Sequence, residues 1–527
     1  MSRQACSILL AGVVVLVLLT FRDYGISNDE EVQHRYGELI LAYYTSGFAD
    51  RALFDYKNLF LYGGLFDIVA VLLAKILPLD VYSLRHLLSA LIGVAGIGAA
   101  AAVARMIAGA RAGLITALAL ATCGPWFGAM FNHTKDIPFA AAMIGAVYFL
   151  LRASRQFPAP RWSDVLGFGL MLGAATGLRA MGMLLVGYAG VAIMLAMPWQ
   201  KLLTVEGFKS AFSFAARCAW RLAPAFVLGY LIMIAVWPWA AQAPLNPLRA
   251  IFSFAHFHYE IRTIIAGDIY KMADVPWWYV PFYLAIKSPL LILAGAVLAA
   301  AAILRPRHNA EGNERRRIDS AFVVFVAIFP VFCEAVTEGP AFTGMRHFLF
   351  VVPPLAVLAG VGFDALIDWL ERWRWARTAA IASLVAALAW NASLLVRLHP
   401  YEYLFYNQFV GGLQGAERRY EMDYWVNMMP EAVGALESYL DLANEKSQRI
   451  YTVGVCGEQF SFENYADKRL KASGGWLEAD FYIAPTHMNC DKLVDGRVIA
   501  KIERLGVTIG VVKDRRGFTQ KALGRAF

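Results

Sequence analysis

Charged side chains are scarce in this chain: Asp, Glu, Lys and Arg make up 17% of its 527 residues, whereas 59% are hydrophobic. A soluble protein of this length needs more charge to cover its surface, so we expect lipid to be the solvent for much of this one. Several apolar runs are near or at the ~20 residues that cross a hydrocarbon core, among them 222–236, 286–303 and 378–395. The sequence therefore predicts an α-helical polytopic membrane protein.

The sequence also lacks internal repeats, low-complexity tracts and a glycine-rich phosphate loop. Its net charge of +8 is spread over short clusters between apolar runs, which is typical of cytoplasmic loops and argues against nucleic-acid binding. The six cysteines show no metal-ligand spacing. His256 and His258 could share one face of a strand, and His133 lies near Asp136, but no third ligand has a suitable spacing. We therefore predict neither a metal nor a cofactor.

Positive charge predicts the topology, because loops rich in Lys and Arg stay in the cytoplasm. The basic clusters are at 105–111, 152–161, 201–221, 305–317 and 372–377. The helices between them must then come in pairs, which we place at 112–130 with 137–152, 163–178 with 181–198, 222–240 with 280–304, and 319–338 with 347–370. An uncleaved first helix at 5–21, a second at 86–104 and a last one at 377–396 bring the prediction to about eleven transmembrane helices.

The same count predicts which segments face outward. The first outer loop, about 22–85, contains an apolar stretch at 59–77 that we interpret as an interfacial or shallow re-entrant helix rather than a span. A second outer loop, about 241–279, is rich in aromatic residues, which suit a membrane interface and would also suit a sugar or a lipid tail. We therefore divide the chain into a transmembrane module, 1–396, and an extracytoplasmic domain, 397–527.

The tail after residue 396 combines an amphipathic stretch at 430–443 with short β-rich runs at 450–455, 481–484 and 507–512. This pattern predicts a small α/β domain. It contains two cysteines, Cys456 and Cys490. They either form a disulfide in an oxidising compartment or remain unpaired and buried.

Two acidic positions stand out at predicted outer helix ends. Asp29, Glu30 and Glu31 follow the first span, and Asp136 lies at the outer end of the third span, in the run FNHTKDIPF. Such carboxylates often cap a helix or stabilise its N-terminus, which is the simpler interpretation. Because the topology places both positions on the same face, they can also act together, one as a base and one as a positioning group.

These motifs resemble those of the GT-C class of membrane glycosyltransferases, particularly protein O-mannosyltransferases and lipid A aminoarabinose transferases. In that class an Asp-Glu pair follows the first span and a second Asp ends a later one, as Asp29-Glu30 and Asp136 do here. The run MRHFLFVVPPLAVLAG at 345–360 is similar to the late Arg-aromatic helix of the class. The intervening Glu31 departs from the pattern, so either Glu30 or Glu31 could be the second carboxylate.

The resemblance implies a GT-C-like fold and a sugar donor linked to polyprenyl phosphate, which enters from the bilayer and is used without an essential metal. A carboxylate can remove the acceptor's proton, whereas a phosphate leaving group needs cations. Asp29 is the candidate base, with Glu30 and Asp136 beside it. The candidate phosphate ligands on the outer face are Lys135, Arg179, Arg346 and His347, with Arg262 a weaker candidate; each could instead be an interfacial side chain that snorkels.

The sequence thus predicts an inverting glycosyltransferase in a membrane, which we take to be the bacterial inner membrane, with its active site and tail on the periplasmic side. Its partners would be membrane lipids, the polyprenyl-phosphate sugar donor and an acceptor hydroxyl on a lipid, a polysaccharide or a protein. A transporter or flippase of lipid-linked sugars is the alternative. A transporter is expected to have charged or broken segments near mid-membrane and halves related by symmetry. Neither feature is visible in the sequence.

Overall fold

The computed structural model describes residues 2–197, 199, 204–255, 260–304, 311–337, 339, 341–443 and 449–518. His256 and His258 lie outside these ranges. The structure confirms a mostly helical protein with a small sheet domain at its C-terminal end.

The helices of the predicted transmembrane module follow one another along the chain. They are α1 (Ser2–Thr20), α2 (Glu30–Thr45), α3 (Leu65–Ala74), α4 (Val81–Ala108), α5 (Ala110–Ala121), α6 (Gly124–Asn132), α7 (Asp136–Ser154), α8 (Trp162–Thr176), α9 (Leu184–Leu195), α10 (Val205–Val236), α11 (Pro238–Gln242), α12 (Asn246–Ala255), α13 (Tyr279–Lys287), α14 (Leu290–Leu304), α15 (Glu311–Thr337), α16 (Val352–Trp369) and α17 (Arg374–Leu398). Short 3-10 helices occur at Ala52–Phe54, Leu59–Leu61, Ala180–Met183 and Arg346–Val351.

Six helices in the described ranges are long and apolar enough to cross a membrane, or up to eight if each bent pair is one span. The bent pairs are α5 with α6, at 62°, and α13 with α14, at 111°. Each of the eleven predicted spans overlaps helical structure in the described ranges, although those predicted at 112–130 and 280–304 are bent. The chain is therefore an integral membrane protein, and the number of eleven crossings stays a prediction.

Small residues let these helices pack closely. In α14 and α16, a Cβ on Gly295 would lie 2.6 Å from the Cα of Ala359, and one on Gly362 would lie 2.0 Å from the carbonyl oxygen of Gly295. In α4, a Cβ on Gly96 would meet the ring of Trp126 at 2.9 Å. The Ala- and Gly-rich runs are thus contact faces between helices, which is how membrane helices without a hydrophobic driving force associate.

The segment 59–77 does not form a single long helix. It has a 3-10 turn, Leu59–Leu61, an irregular link at Gly63 and Gly64, and the ten-residue helix α3. The backbone N–H of Leu65 donates to the carbonyl of Gly177 at 3.1 Å, and that of Gly64 donates to the carbonyl of Val236 at 3.0 Å. Helix α3 alone is too short to span a membrane, and the interfacial or re-entrant placement of the segment stays a prediction.

A strand hairpin, β1 (Arg262–Ile265) with β2 (Asp268–Lys271), lies in the second predicted outer loop. The tail contains the 3-10 helices Glu402–Leu404, Gln408–Val410 and His487–Lys492, the helices α18 (Gly412–Ala416), α19 (Met429–Leu442) and α20 (Gln459–Tyr465), and five strands: β3 (Tyr451–Val455), β4 (Leu470–Ser473), β5 (Phe481–Pro485), β6 (Arg497–Arg504) and β7 (Val507–Asp514). The sheet order is β4-β3-β5-β7-β6, with β3 parallel to β4 and β5, and β7 antiparallel to β5 and β6.

The tail therefore has the predicted α/β character, and α19, β3, β5 and β7 match the predicted runs. Cys456, just after β3, and Cys490 form a disulfide with their Cα atoms 6.5 Å apart, which confirms the first of the two alternatives. The last long helix ends at Leu398, and the chain then packs back on the helical module: a Cβ on Gly128 of α6 would lie 2.1 Å from the backbone nitrogen of Tyr403.

Candidate active site

The two acidic positions meet on one arginine. Arg346, at the start of the helical run that leads into α16, donates through Nε to Asp136 at 2.8 Å and through a terminal nitrogen to Asp29 at 2.9 Å. Arg179, in the turn between α8 and α9, binds the other oxygen of Asp136. These four residues, Asp29, Arg346, Asp136 and Arg179, are here called the carboxylate–arginine cluster. Their formal charges balance, which is how charges with little solvent contact are tolerated.

Local sequence explains why these side chains are available. Asp29 occupies the N-cap position of α2, but its side chain makes no capping hydrogen bond. Asp136 is the first residue of α7, with Pro138 in the same first turn. Both carboxylates therefore lie at helix N-termini, where the helix dipole stabilises negative charge, yet both use their oxygens for arginine.

Solvent access distinguishes the two carboxylates. The side chain of Asp29 is 49% exposed, whereas that of Asp136 is 3% exposed. Asp136 uses one oxygen for Arg346 and the other for Arg179, whereas Asp29 uses one oxygen for Arg346. Asp29 is thus the carboxylate that an incoming hydroxyl could reach, and Asp136 is suited to orient the two guanidinium groups.

The tail covers one side of the cluster. The guanidinium carbon of Arg346 lies 4.0 Å from the ring centroid of Trp425, a cation–π contact that adds attraction and shields the charge. The hydroxyl of Tyr424 and Nε2 of His133 are 3.0 Å apart. Burial lowers the pKa of His133 to about 3, so this ring is neutral at physiological pH and serves as a hydrogen-bonding wall.

Glu30 is oriented away from the cluster. It is fully buried, accepts from the backbone N–H of Ser27 at 2.9 Å, and has Nε2 of His86 3.0 Å away. Arg85 lies 4.0 Å from its other oxygen and also binds Asp67 at 2.9 Å. Glu30 therefore ties the start of α2 to α4, while Glu31 is exposed at the surface of α2.

Lys135 and His347 lie beside the cluster, and among the described residues neither forms an ion pair with Asp29. Lys135 is buried, with Nζ 3.9 Å from Asp67 and 4.7 Å from the ring centroid of Tyr62. Burial lowers the pKa of Lys135, and the nearby Asp67 partly opposes this. His347 lies next to Arg346 and its ring is 4.7 Å from that of Phe342. Arg262 begins β1, in the hairpin of the second predicted outer loop.

A cavity of about 180 Å³ adjoins the cluster at Arg179. Most of its walls are apolar, and its polar lining side chains include Arg179, His347 and Glu334. The walls come from separate parts of the chain: Tyr62, Met181, Ile251, Phe254, Met272, Val280, Phe342 and Phe348. Such a cavity, apolar with a few convergent polar groups, is the usual form of a small-molecule site.

Within the described ranges, no group of three or more His, Cys, Asp or Glu side chains is arranged to hold a metal ion. The cluster instead combines two carboxylates with two guanidinium groups. This donor set suits proton transfer and the binding of an anion such as phosphate.

Sequence reasoning missed several residues that shape the site. Arg85 ends the first predicted outer loop and Asp67 lies in the apolar stretch 59–77, yet both are buried and bind each other at 2.9 Å. An ionisable residue inside an apolar segment is a signal of such a partner. Trp425 and Tyr424 carried no comparable signal, because their role depends on how the tail folds back.

The fold defines a class of protein. The crystal structure of ArnT from Cupriavidus metallidurans in the apo state matches with a TM-score of 0.52 and 18% identity, covering 97% of this chain and 98% of that chain. The chain therefore has the fold of the GT-C class of membrane glycosyltransferases, as its sequence motifs predicted.

Further matches cover part of the chain or have lower TM-scores. The sequence profile of the dolichyl-phosphate-mannose-protein mannosyltransferase family matches residues 70–219, which is less than half of the chain. ArnT from Cupriavidus metallidurans bound to undecaprenyl phosphate matches with a TM-score of 0.49, 18% identity, and coverage of 96% of this chain and 97% of that one. The oligosaccharyltransferase AglB from Archaeoglobus fulgidus matches with a TM-score of 0.47, 12% identity, and coverage of 92% and 69%. No curated protein sequence matches the chain.

Proposed function

We propose that this protein is a glycosyltransferase that moves a sugar from a polyprenyl-phosphate donor to an acceptor hydroxyl, with Asp29 as the general base. The observation that carries the proposal is the carboxylate–arginine cluster, in which a half-exposed carboxylate shares Arg346 with a buried one. The GT-C fold and the match of residues 70–219 to a mannosyltransferase family that uses a lipid-phosphate sugar support the same chemistry.

The reaction is a displacement at the sugar's anomeric carbon. The acceptor oxygen forms a bond to that carbon and loses its proton to Asp29, while the bond from the carbon to the phosphate oxygen breaks. The phosphate leaves as an anion and needs positive charge rather than a proton. A single displacement of this kind inverts the configuration of the carbon.

The arginines of the cluster are the proposed phosphate ligands. Arg179 lines the cavity, and its buried Nε has no hydrogen-bond partner among the described residues. Arg346 carries five N–H donors, of which Asp29 and Asp136 engage one each in the structure. Asp136 orients both guanidinium groups, and Glu30 positions Asp29 by anchoring the start of α2. Lys135 and His347 add positive charge or hydrogen bonds from the side of the cavity.

We place this site on the periplasmic side of a bacterial inner membrane. The basic clusters lie at the other ends of the predicted spans, and loops rich in Lys and Arg stay in the cytoplasm. Two of those basic positions are paired with acids: Arg111 with Asp364 at 2.8 Å and Arg152 with Asp164 at 2.8 Å. The acceptor would be a lipid, a polysaccharide or a protein. Either a hexose or a pentose would satisfy the same chemistry.

The test is a profile of lipid-linked sugars in cells that lack this protein. A glycosyltransferase should leave one polyprenyl-phosphate sugar accumulated on the outer leaflet and its acceptor unmodified. Expression of the wild-type protein should reverse both changes, whereas Asp29→Asn should reverse neither. A lipid-linked sugar that accumulates on the inner leaflet instead would favour the transporter alternative and refute the proposal.

A further inference from the structure

The cavity beside the carboxylate–arginine cluster contains one acidic lining residue among those that the structure describes, Glu334. It lies in the last turn of α15, which ends at Thr337. Its neighbours on the helix, Phe332 and Val336, are 60% and 64% exposed and face outward. Glu334 thus belongs to the inner side of this helix, in a wall otherwise made mainly of apolar side chains.

The carboxylate of Glu334 is incompletely satisfied. Its Oε2 atom is buried and has no hydrogen-bond partner in the described part of the chain. Among the described residues, Glu334 forms no ion pair with a basic side chain, whereas Asp29 and Asp136 both pair with Arg346. A buried carboxylate oxygen without a donor is unfavourable. Because Glu334 is only partly buried, a ligand in the cavity can reach this side chain and supply the donor.

The cavity connects this carboxylate to the cluster. Arg179 lines the same cavity and also binds Asp136, and His347 lines it next to Arg346. A ligand with an anionic end at Arg179 could therefore extend a neutral or cationic part towards Glu334. The volume of about 180 Å³ lies below the roughly 300–1,000 Å³ of a site for a drug-sized ligand, which suits one sugar ring rather than an oligosaccharide.

We propose that this cavity is the subsite for the transferred sugar and that Glu334 is a specificity-determining residue, accepting a hydrogen bond from a hydroxyl or an ammonium group of that sugar. The inference rests on the proposed glycosyltransferase function and extends it to sugar recognition. A site that hydrogen-bonds a particular substituent rejects analogues that lack it more strongly than an apolar pocket does.

The experiment measures binding to the full-length protein in lipid nanodiscs by native mass spectrometry. The probes are undecaprenyl phosphate and the same lipid phosphate esterified to mannose, to glucose or to an amino sugar. The variants are Glu334→Ala, Glu334→Gln and, as a matched control on the outward side of α15, Val336→Ala. Undecaprenyl phosphate itself reports both folding and the phosphate site.

Glu334→Ala should bind undecaprenyl phosphate as the wild type does and the preferred glycosylated lipid about 10- to 100-fold more weakly, which is the loss expected for a hydrogen bond to a charged group. Glu334→Gln should restore binding if the partner is a hydroxyl, and should not if it is an ammonium group, because an amide accepts a hydrogen bond but carries no charge. Val336→Ala should match the wild type.

Two results would overturn the inference. One is equal binding of every glycosylated probe by the wild type and Glu334→Ala; the other is a wild-type protein that binds no glycosylated probe more tightly than undecaprenyl phosphate. A wild type that does not bind undecaprenyl phosphate at all would instead refute the proposed function, and with it this inference.

Discussion

Asp29→Asn separates catalysis from stability, because the side chain is half exposed and makes one ion pair. Its loss leaves Arg346 bound to Asp136 at 2.8 Å and stacked on Trp425. The pair joins a half-exposed carboxylate to a largely buried arginine, so its loss should cost between about 1 kcal/mol, as for an exposed pair, and about 3 kcal/mol, as for a buried one. The variant should therefore fold and insert. A general base contributes about 100- to 10,000-fold to turnover, which is about 2.7 to 5.4 kcal/mol of activation free energy. The variant should therefore stay folded while its turnover falls by orders of magnitude.

The assay compares single-turnover transfer and thermal unfolding of the purified wild type and Asp29→Asn, using the lipid-linked sugar that accumulates in cells lacking the protein. The control is Glu38→Gln, which removes an exposed carboxylate from the same helix, where it pairs with Arg35 at 2.7 Å. Donor binding should be retained in both variants. If Asp29→Asn folds normally and transfers sugar within a few-fold of the wild type, Asp29 is a loop charge and the mechanism is wrong.

Two further predictions concern stability. Asp136→Asn should destabilise the protein by about 3–5 kcal/mol, since it leaves two largely buried arginines with too little negative charge; a thermal midpoint equal to that of the wild type would contradict this. The pKa of His399 is raised, first by its hydrogen bond to Glu402 at 2.8 Å and further by Asp23 at 3.0 Å. The contribution of His399 to stability is therefore complete below its unfolded pKa of about 6.5 and is lost as pH rises through the higher folded pKa. The unfolding midpoints of the wild type and His399→Gln should converge with rising pH. A difference that stays constant with pH would refute the linkage.

The positions of the acidic groups could be predicted from sequence because they depend on local rules. Asp29 and Asp136 each lie at a helix N-terminus, and the basic clusters put both ends on one side of the module. In the structure both carboxylates bind Arg346. The sequence places this arginine at a predicted outer helix end, which made the contact possible but did not establish it. Helix positions were predictable for the same reason, since apolar length and charge are local properties of the chain.

Pairing between distant residues was not predictable in this way. Glu30 and Asp29 are adjacent in the sequence, yet one faces His86 and the other Arg346, because successive residues at a helix start point in different directions. The buried pair of Asp67 and Arg85 joins α3 to α4. The break at Gly63 and Gly64 precedes α3, and a Cβ on Gly63 would lie 2.1 Å from the carbonyl oxygen of Gly177. Such contacts are set by tertiary packing, which periodicity does not encode.

The tail takes part in the candidate site, because it contacts both Arg346 and the segment before Asp29. The backbone N–H of Asn28, next to Asp29, donates to the carbonyl of Trp425 at 3.3 Å, and the ring of Trp425 lies over Arg346. The hydroxyl of Ser461 donates to the carbonyl of Ile26 at 3.1 Å. The loop that carries the proposed base is thus held on one side by α2 and on the other by the tail. Since misplacing a catalytic group by about 1 Å can cost on the order of 100-fold in rate, the helical module without its tail would keep its carboxylates but not their geometry.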